Sequence, residues 1–274
     1  MPEGDTVFLA ATRLNAALSG KTLVKTDFRV PSIATIDLSG KVVSEVVPRG
    51  KHLLFRIGDD VTLHTHFKME GSWHLYRPGE RWRSPAFQAR AILETDDWIA
   101  VGFRLAVVDL LARSQESDAL GHLGPDPLGE DWDAAKVVRG LLSDPARQIG
   151  TALLDQSVMA GPGNVYKCEA CFLRGVDPFT PVGSVRDLDA LVDLVKKLMD
   201  ANRTTGNQIT TGDTRPGRQR WVYGRGGQPC RRCGTSIAKA EQEGYGGDRI
   251  TYWCPTCQPA PVPEKTHSET ESAS

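Results

Sequence analysis

The sequence has almost no net charge, no long hydrophobic run and no recognisable secretory leader, and each absence excludes a class of protein. Its net charge is −1, so the chain is not a polycation, and nucleic-acid binding would require basic residues gathered on one face. No apolar run is long enough to cross a bilayer. Arg13 and Asn15 interrupt the first apolar residues, which argues against a signal peptide. We therefore expect a cytoplasmic protein without membrane contact.

The composition is that of a globular protein with few cysteines. The chain has 274 residues, of which 40% are hydrophobic and 24% charged, and this length suffices for two domains with separate cores. In a cytoplasmic protein, closely spaced cysteines indicate metal binding rather than disulfides. Two of the six cysteines, Cys168 and Cys171, fall in a helical pattern, and we expect them to be small buried residues.

The spacing of the other four cysteines is the strongest single signal in the sequence. Cys230 and Cys233 form one C-x₂-C pair, and Cys254 and Cys257 form a second pair after 20 intervening residues. Two such pairs bring four thiolates to one tetrahedral Zn²⁺ ion, and four protein ligands leave no position for a substrate. The spacing therefore predicts a zinc finger with one structural zinc ion, and the glycines between the pairs suit a β-hairpin.

The first residues carry a possible nucleophile. Removal of Met1 before the small residue Pro2 would leave a secondary α-amine, which titrates near ~8 rather than the ~10.4 of lysine. Such an amine can attack a sugar C1′ and form a cationic iminium, an electron sink for elimination. Glu3 is adjacent and can transfer protons. The alternative is an ordinary chain start with an acidic residue before a helix, which the apolar spacing from Val7 to Leu18 predicts.

Hydrophobic patterning predicts a β-rich half followed by an α-rich half. Residues 21 to about 112 contain short apolar runs between turn formers, which is typical of an antiparallel β-sandwich. The runs are 22–28, 42–47, 52–57, 61–67, 72–76, 87–93 and 98–103. A linker rich in turn formers follows. Helical spacing then predicts helices at 134–142, 148–154, 165–173 and 188–199.

Two loops of the β-rich half invite a functional interpretation. Arg-Gly-Lys-His at 49–52 joins two predicted strands, and it either presents Lys51 to a phosphate or is a solvated surface turn.

His64 and His66 face the same side of a strand, and we interpret them as structural rather than metal-binding because no further ligand lies nearby in sequence. Met69 follows them at a predicted loop tip, where it is either a core residue or an apolar wedge.

Two segments of the second half have a similar ambiguity. Gly161-Pro162-Gly163 predicts a tight turn with Asn164 as the cap of the next helix. Free amides at such a helix start suit a phosphate oxygen, although the turn can equally be a simple connection. A basic stretch with interleaved aromatic residues is either a nucleic-acid face or a solvated loop. It contains Arg215, Arg218, Arg220, Trp221, Tyr223, Arg225, Arg231 and Arg232.

Four of these motifs together resemble the formamidopyrimidine-DNA glycosylase/endonuclease VIII family of bifunctional DNA repair enzymes. The resemblance covers residues 1 to about 258 and is greatest to the endonuclease VIII branch, in the form of the second actinobacterial paralogue. The motifs are Met-Pro-Glu-Gly at 1–4, Arg-Gly-Lys-His at 49–52, Gly-Pro-Gly-Asn-Val-Tyr at 161–166, and the cysteine pairs with Asp-Arg-Ile-Thr-Tyr-Trp-Cys at 248–254.

The resemblance implies an α+β multidomain fold in which damaged DNA lies in a cleft. It implies an N-terminal β-sandwich with flanking helices, a helix-two-turns-helix domain and a zinc-finger β-hairpin. The expected boundaries are 1–117 for the catalytic domain, 118–132 for the linker, 133–225 for the DNA-binding domain, 226–258 for the finger and 259–274 for a disordered tail. The partner would be double-stranded DNA, with single-stranded DNA as a second option, and the chain would be a monomer.

The resemblance also assigns roles to single residues. Pro2 would be the nucleophile, and Glu3 the general acid and base. Lys51 would bind phosphates together with Asn164 and Arg249, and the resemblance also implies a catalytic role for Lys51. Met69 would fill the gap left by a flipped base.

These roles imply a DNA glycosylase and abasic-site lyase that excises oxidised pyrimidines by β,δ-elimination. Well-known endonuclease VIII proteins carry Gln-Leu-Tyr where this sequence has Lys68-Met69-Glu70, and this difference leaves the lesion and opposite-base preferences open. Two alternatives remain. One is a preference for formamidopyrimidine or 8-oxoguanine lesions, and the other is a non-catalytic zinc-finger protein that binds DNA.

Overall fold

The chain begins with a long helix and continues into two four-stranded antiparallel sheets. The structure is a computed structural model that describes residues 2–244 and 247–260. Met1 and most of the predicted tail, residues 261–274, therefore lie outside the described part. The helix α1 is Gly4–Leu18. The strands that follow are β1 Lys25–Phe28, β2 Val43–Arg49, β3 His52–Ile57, β4 Val61–His66, β5 Ser72–Tyr76, β6 Ala89–Glu94, β7 Ile99–Phe103 and β8 Val107–Ala112.

The two sheets form the predicted β-sandwich. Their strand orders are β2-β3-β4-β8 and β1-β6-β7-β5. A single apolar core joins Leu14 of α1 to Phe55 and Leu63 of the first sheet and to Leu93 of the second. Removal of these side chains from water provides the main stabilisation of this half of the molecule, at about 1.5–3 kcal/mol for each fully buried large side chain.

The last strand, β8, was not among the predicted apolar runs. It pairs with β4 in register from Val61 opposite Ala112 to His66 opposite Val107. The turn that leads into it, residues 104–106, contains no glycine, proline or asparagine. Arg104 adopts the left-handed conformation that glycine or asparagine usually takes, with φ of 49°. The usual sequence marker of a strand end is therefore absent.

The second half is helical, as predicted. Its helices are α2 Glu116–Leu120, α3 Ala134–Leu142, α4 Ile149–Ala152, α5 Asn164–Arg174 and α6 Leu188–Asn202. The short helix α2 spans the boundary that we expected at residues 117 and 118. None of the helices in the described part of the chain is long and apolar enough to span a membrane.

The helix α5 is the centre of this half, because both of its faces are covered. Cys171 packs into the helical core, whereas Cys168 packs against the cluster that contains Cys230 and Cys254. Both thiols are fully buried, as expected. The helix begins one residue earlier than predicted, because Gly163 rather than Asn164 is the N-cap residue.

The C-terminal unit is a β-hairpin built of β9, Ala238–Gln242, and β10, Arg249–Trp253. The strands pair antiparallel, with Arg249 opposite Gln242. Lys167 of α5 is buried against this hairpin, and its Nζ atom donates to Thr251 Oγ1 at 2.5 Å. The hairpin is therefore attached to the helical domain through α5.

Candidate active site

Glu3 is held at the N-terminus of α5 although it precedes α1 in the sequence. Its side chain is fully buried. The Oε2 atom accepts a hydrogen bond from the Gly163 amide at 2.7 Å, and Oε1 accepts one from the Val165 amide at 2.8 Å. Amides at a helix start have no partner within the helix, and the helix dipole favours a carboxylate there. The two halves of the molecule thus meet at one carboxyl group.

Gly163 is required at this contact for steric reasons. A Cβ atom at this position would lie 2.6 Å from Cδ of Glu3, which is closer than two carbon atoms can approach. The glycine-rich turn therefore provides room for the Glu3 side chain. Burial raises the pKa of Glu3, and the positive charge of Lys51 acts against that rise. A raised pKa means that this carboxyl group holds a proton more readily than an ordinary glutamate, which suits a group that transfers protons.

The start of α1 lies directly on the turn at residues 160–163. The Gly4 amide donates to the Gly161 carbonyl at 3.0 Å. A Cβ atom on Gly4 would lie 2.8 Å from Cε of Met199. Pro2, the predicted nucleophile, is half-buried beside this contact. The close approach of two backbones fixes the position of the chain start relative to Glu3.

Lys51 lies in the turn between β2 and β3, as predicted, and it faces the same site. The preceding Gly50 has φ of 56°, and its amide donates to Asp126 Oδ2 at 2.6 Å. Burial lowers the pKa of Lys51 to about 8, while the Glu3 carboxylate raises it and the charge of Arg249 lowers it further. Lys51 therefore lies within electrostatic reach of both Glu3 and Arg249.

Asn164 and Arg249 come together through the finger hairpin. The Asn164 Nδ2 atom donates to the Ile250 carbonyl at 2.7 Å, which joins the first turn of α5 to the residue after Arg249. The structure thus brings Glu3, Lys51, Asn164 and Arg249 from four separate segments to one region. Their positions agree with the predicted grouping, and their chemical roles remain predictions.

The four paired cysteines form the metal centre that their spacing predicts. Their sulfur atoms all lie within 4.8 Å of one another. The Cys230–Cys257 and Cys233–Cys254 sulfur pairs are 3.9 and 3.4 Å apart. Zn–S bonds of about 2.3 Å in a tetrahedron would place the sulfurs roughly 3.8 Å apart. The cluster therefore fits one structural zinc ion.

We expect Cys254→Ser to release the zinc and to weaken binding to a duplex with an abasic site at least about tenfold, because the finger folds around its metal and carries Arg249. Metal content and DNA affinity, measured on the same preparation, check this. Cys171→Ala is the matched control, since it removes a buried thiol outside the cluster and should retain zinc. Undiminished affinity in a metal-free preparation would contradict the account.

The loop that carries Met69 extends into solvent. Met69 is 60% exposed, which excludes the core alternative. The preceding Lys68 has φ of 53°, and its amide donates to Nδ1 of His66 at 2.8 Å. Burial lowers the pKa of His66 to about 4, so its ring is a neutral acceptor at neutral pH. His66 thus has a structural role, as expected, in that it holds the loop backbone in place.

Glu70, the neighbour of Met69 in this loop, forms an ion pair. Its Oε2 atom lies 3.8 Å from Nη1 of Arg104, a residue that we had not identified as relevant to the site. The pair is largely exposed and weak in energy. It nevertheless offsets the carboxylate that follows Met69, and it connects two neighbouring loops.

The basic stretch from 215 to 232 is fixed by internal contacts. The buried Glu169 carboxylate accepts hydrogen bonds from the amides of Trp221, Val222 and Tyr223 at 2.8 Å each. The Arg225 side chain is buried and donates to the Pro229 carbonyl at 2.8 Å. The part of this stretch at 221–229 is therefore held against the protein rather than freely solvated, and the interpretation as a nucleic-acid face stays a prediction.

The other arginines of this stretch also have partners. Arg215 forms an ion pair with Asp213 at 2.6 Å, and the guanidinium group of Arg232 lies 4.5 Å from the centre of the Phe172 ring. The fixed roles of Asp126, Glu169 and Arg104 were not recognised from the sequence. Their partners are distant in the chain and carry no local motif.

Comparison with known proteins identifies the family. The N-terminal domain model of formamidopyrimidine-DNA glycosylase matches residues 1–111, and its H2TH domain model matches residues 123–213. The zinc finger found in FPG and IleRS matches residues 227–260. The chain belongs to the formamidopyrimidine-DNA glycosylase/endonuclease VIII family. This membership makes it a DNA repair enzyme with glycosylase and abasic-site lyase activity, and it confirms the predicted fold.

Two curated members of this glycosylase family are similar over nearly their whole length. "Probable endonuclease 8 2" of Streptomyces coelicolor is 53% identical over 266 residues, which cover 96% of each chain. "DNA-(apurinic or apyrimidinic site) lyase Nei2" of Mycolicibacterium smegmatis is 51% identical over 260 residues, which cover 95% of this chain and 100% of that protein.

A solved structure of the same glycosylase family also matches. The Lactococcus lactis Fpg protein in complex with an oxidised-pyrimidine-containing DNA has a TM-score of 0.78 and 25% identity. The match covers 94% of this chain and all of that one.

Proposed function

We propose that this chain excises oxidised bases from DNA through a covalent intermediate on the amine of Pro2. The observation that carries this proposal is the position of Glu3. A buried carboxyl group with a raised pKa lies next to the chain start and within electrostatic reach of Lys51. A proton-transfer group beside an α-amine is what a sugar-attacking amine requires.

The reaction begins with rotation of the damaged nucleotide out of the duplex, which costs less for a damaged base than for an intact one. The Pro2 nitrogen attacks C1′ and loses its N–H proton to solvent, while the bond from C1′ to the base breaks and Glu3 supplies a proton to the departing base. The sugar ring then opens as the bond from C1′ to O4′ breaks and O4′ takes up a proton. The product is a cationic iminium between the Pro2 nitrogen and C1′.

Elimination follows from the iminium, because its positive charge acidifies the protons on C2′. Loss of a C2′ proton expels the 3′ phosphate by β-elimination. A second elimination expels the 5′ phosphate, and hydrolysis of the amine adduct restores Pro2. The product is a gap of one nucleotide with phosphate at both ends.

The DNA contacts are assigned to groups from different domains. Lys51 of the catalytic domain at 1–117, Asn164 of the domain at 133–225 and Arg249 of the finger at 226–258 bind phosphates around the lesion. Their convergence from three domains, across the linker at 118–132, supports this assignment. Backbone phosphate contacts position the duplex, and they do not distinguish between bases.

The substrate class is the part of the proposal that depends most on the named relatives. Two of these carry endonuclease 8 or abasic-site lyase names, which favours oxidised pyrimidines and abasic sites over formamidopyrimidine and 8-oxoguanine. We also propose that the enzyme works as a monomer in the bacterial cytoplasm. Its partner is damaged duplex DNA, and single-stranded DNA is a second substrate.

A panel of duplex and single-stranded oligonucleotides tests this function. Each carries one lesion, either an oxidised pyrimidine, 8-oxoguanine, a formamidopyrimidine or an abasic site, and the ends of the products are analysed. We expect cleavage of oxidised pyrimidines and abasic sites with phosphate at both ends of the gap. Binding without cleavage of any substrate would favour a non-catalytic DNA-binding protein instead.

The wedge role of Met69 predicts a difference between duplex and single-stranded substrates. A flipped base leaves a gap in the stack, and an inserted apolar side chain prevents its return. We expect Met69→Ala to slow cleavage of a duplex lesion at least about tenfold, roughly 1.4 kcal/mol of transition-state stabilisation.

The same variant should cleave a single-stranded abasic site at nearly the normal rate, because no stack has to be held open. Single-turnover rates on matched sequences measure both effects. An equal loss on the two substrates would assign Met69 a general structural role.

A further inference from the structure

A second exposed apolar residue lies at the same edge of the sandwich as Met69. In the second sheet, the start of β5 and the start of β6 both lie beside the end of β7, since Phe103 is opposite Ser72 and Ala89. The loop that precedes β5 carries Met69. The turn that precedes β6, Ala86–Gln88, therefore leaves the sheet at the same edge.

Phe87 is the central residue of this turn. It is 82% exposed, more than any other large hydrophobic residue among those described, and Met69 at 60% comes next. An aromatic side chain loses favourable burial when it is left in water. Two exposed apolar side chains on neighbouring loops at one edge provide an apolar surface that a binding partner can cover.

The backbone that carries Phe87 is fixed on both sides. The Ala86 carbonyl accepts a hydrogen bond from Nη1 of Arg29 at 2.7 Å. The Gln88 carbonyl accepts one from the Arg104 amide at 2.9 Å. Phe87 is thus presented on a rigid turn, and a rigid aromatic group loses little conformational entropy when it binds.

Arg104 connects the loop that carries Met69 to the turn that carries Phe87. Its amide holds the turn that bears Phe87, and its guanidinium group lies 3.8 Å from the carboxylate of Glu70, the neighbour of Met69. Lys68 and Arg104 are also the two non-glycine residues with positive φ in the described part of the chain. Left-handed backbone costs energy for such residues and is commonly retained where a loop has a function.

We propose that Phe87 is a second DNA-stacking residue, which packs on the base that has lost its partner while Met69 fills the gap left by the flipped nucleotide. Strand β7 separates β5 from β6, so the two loops are roughly 10 Å apart, and the two side chains reach different bases. The exposed Arg81 and Arg83 of the same segment provide cations for the nearby phosphates.

This inference rests on the proposed function, because a stacking residue needs a flipped nucleotide opposite it. Stacking of an aromatic side chain on a base has no sequence preference. Phe87 would therefore stabilise the flipped state with any base opposite the lesion, and it would contribute little with a single strand. These two properties separate stacking from a general effect on folding.

The variant Phe87→Ala tests the proposal. We expect it to slow single-turnover cleavage of a duplex lesion about tenfold and to leave cleavage of a single-stranded abasic site within about twofold of the normal rate. Phe87→Trp keeps an aromatic face and should restore most of the duplex rate. Leu142→Ala is the matched control, because it removes another exposed apolar side chain, 46% exposed, from a distant helix.

A binding measurement that needs no catalysis completes the test. The probe is a duplex with a tetrahydrofuran abasic-site analogue and 2-aminopurine as the opposite base. Stacking of Phe87 should quench the probe in the wild-type complex, and Phe87→Ala should give brighter emission. Three results would overturn the proposal: an unchanged duplex rate for Phe87→Ala, an equal loss on both substrates, or identical emission from the two complexes. A wild-type protein that is inactive but quenches the probe normally would count against the proposed function alone.

Discussion

A protein that keeps Met1, or that carries an N-terminal tag, is expected to lose abasic-site cleavage by at least about a thousandfold, because the nucleophile is removed. In both cases the Pro2 nitrogen is part of an amide bond and has no lone pair available for attack on C1′. The phosphate-binding groups are untouched, so binding to a tetrahydrofuran duplex should change little. Single-turnover cleavage and binding are measured on the same preparation.

The matched control is the same protein after proteolytic removal of the added residues, so that Pro2 is the first residue. This treatment should restore cleavage without any change in sequence elsewhere. Pro2→Gly with a free primary amine is a second control and should retain part of the lyase activity. Normal cleavage by an unprocessed protein would eliminate Pro2 from the mechanism.

The second large effect is expected from Glu3→Gln. Departure of an intact base needs a proton donor, whereas a preformed abasic site already has its aldehyde in equilibrium. We expect base excision to fall by about a hundredfold to a thousandfold and cleavage of an abasic site to fall by less than about tenfold. Rates on a duplex with an oxidised pyrimidine and on the same duplex with an abasic site measure the ratio.

The structure also indicates a control that this substitution requires. Both oxygens of Glu3 accept hydrogen bonds from amides, those of Gly163 and Val165, and the amide group of glutamine can accept only through its oxygen. One amide therefore loses its partner, and some stability is lost with it. Normal affinity for a tetrahydrofuran duplex would show that the site is intact, and equal losses on both substrates would then contradict the role of Glu3.

The local elements and the metal centre could be predicted from the sequence, because their signals are local. The runs at 52–57 and 72–76 and the helix at 134–142 are found with the predicted bounds. The four cysteines form the predicted cluster, since two C-x₂-C pairs leave little geometric freedom. The family was likewise predictable from motifs whose order and spacing are specific, and the matching family models confirm it.

Other features of the structure could not be predicted from the sequence, because they depend on contacts between distant segments. The turn before β8 lacks a glycine, since Arg104 takes the left-handed conformation and is held by the Gln88 carbonyl. Asn164 looks like a helix cap, but its side chain binds the Ile250 carbonyl of the finger instead. The exposure of Phe87 could not be predicted either, because a phenylalanine next to a strand is usually part of the core.

The most direct test of the central claim is reductive trapping followed by peptide mapping. Wild-type protein that begins at Pro2 is incubated with an abasic-site duplex and borohydride, which reduces an iminium to a stable amine, and the cross-linked peptide is sequenced by mass spectrometry. The account predicts one covalent complex, with the DNA fragment on the nitrogen of Pro2. Cleavage without a trapped complex, or a cross-link to Lys51 or another lysine, would contradict it.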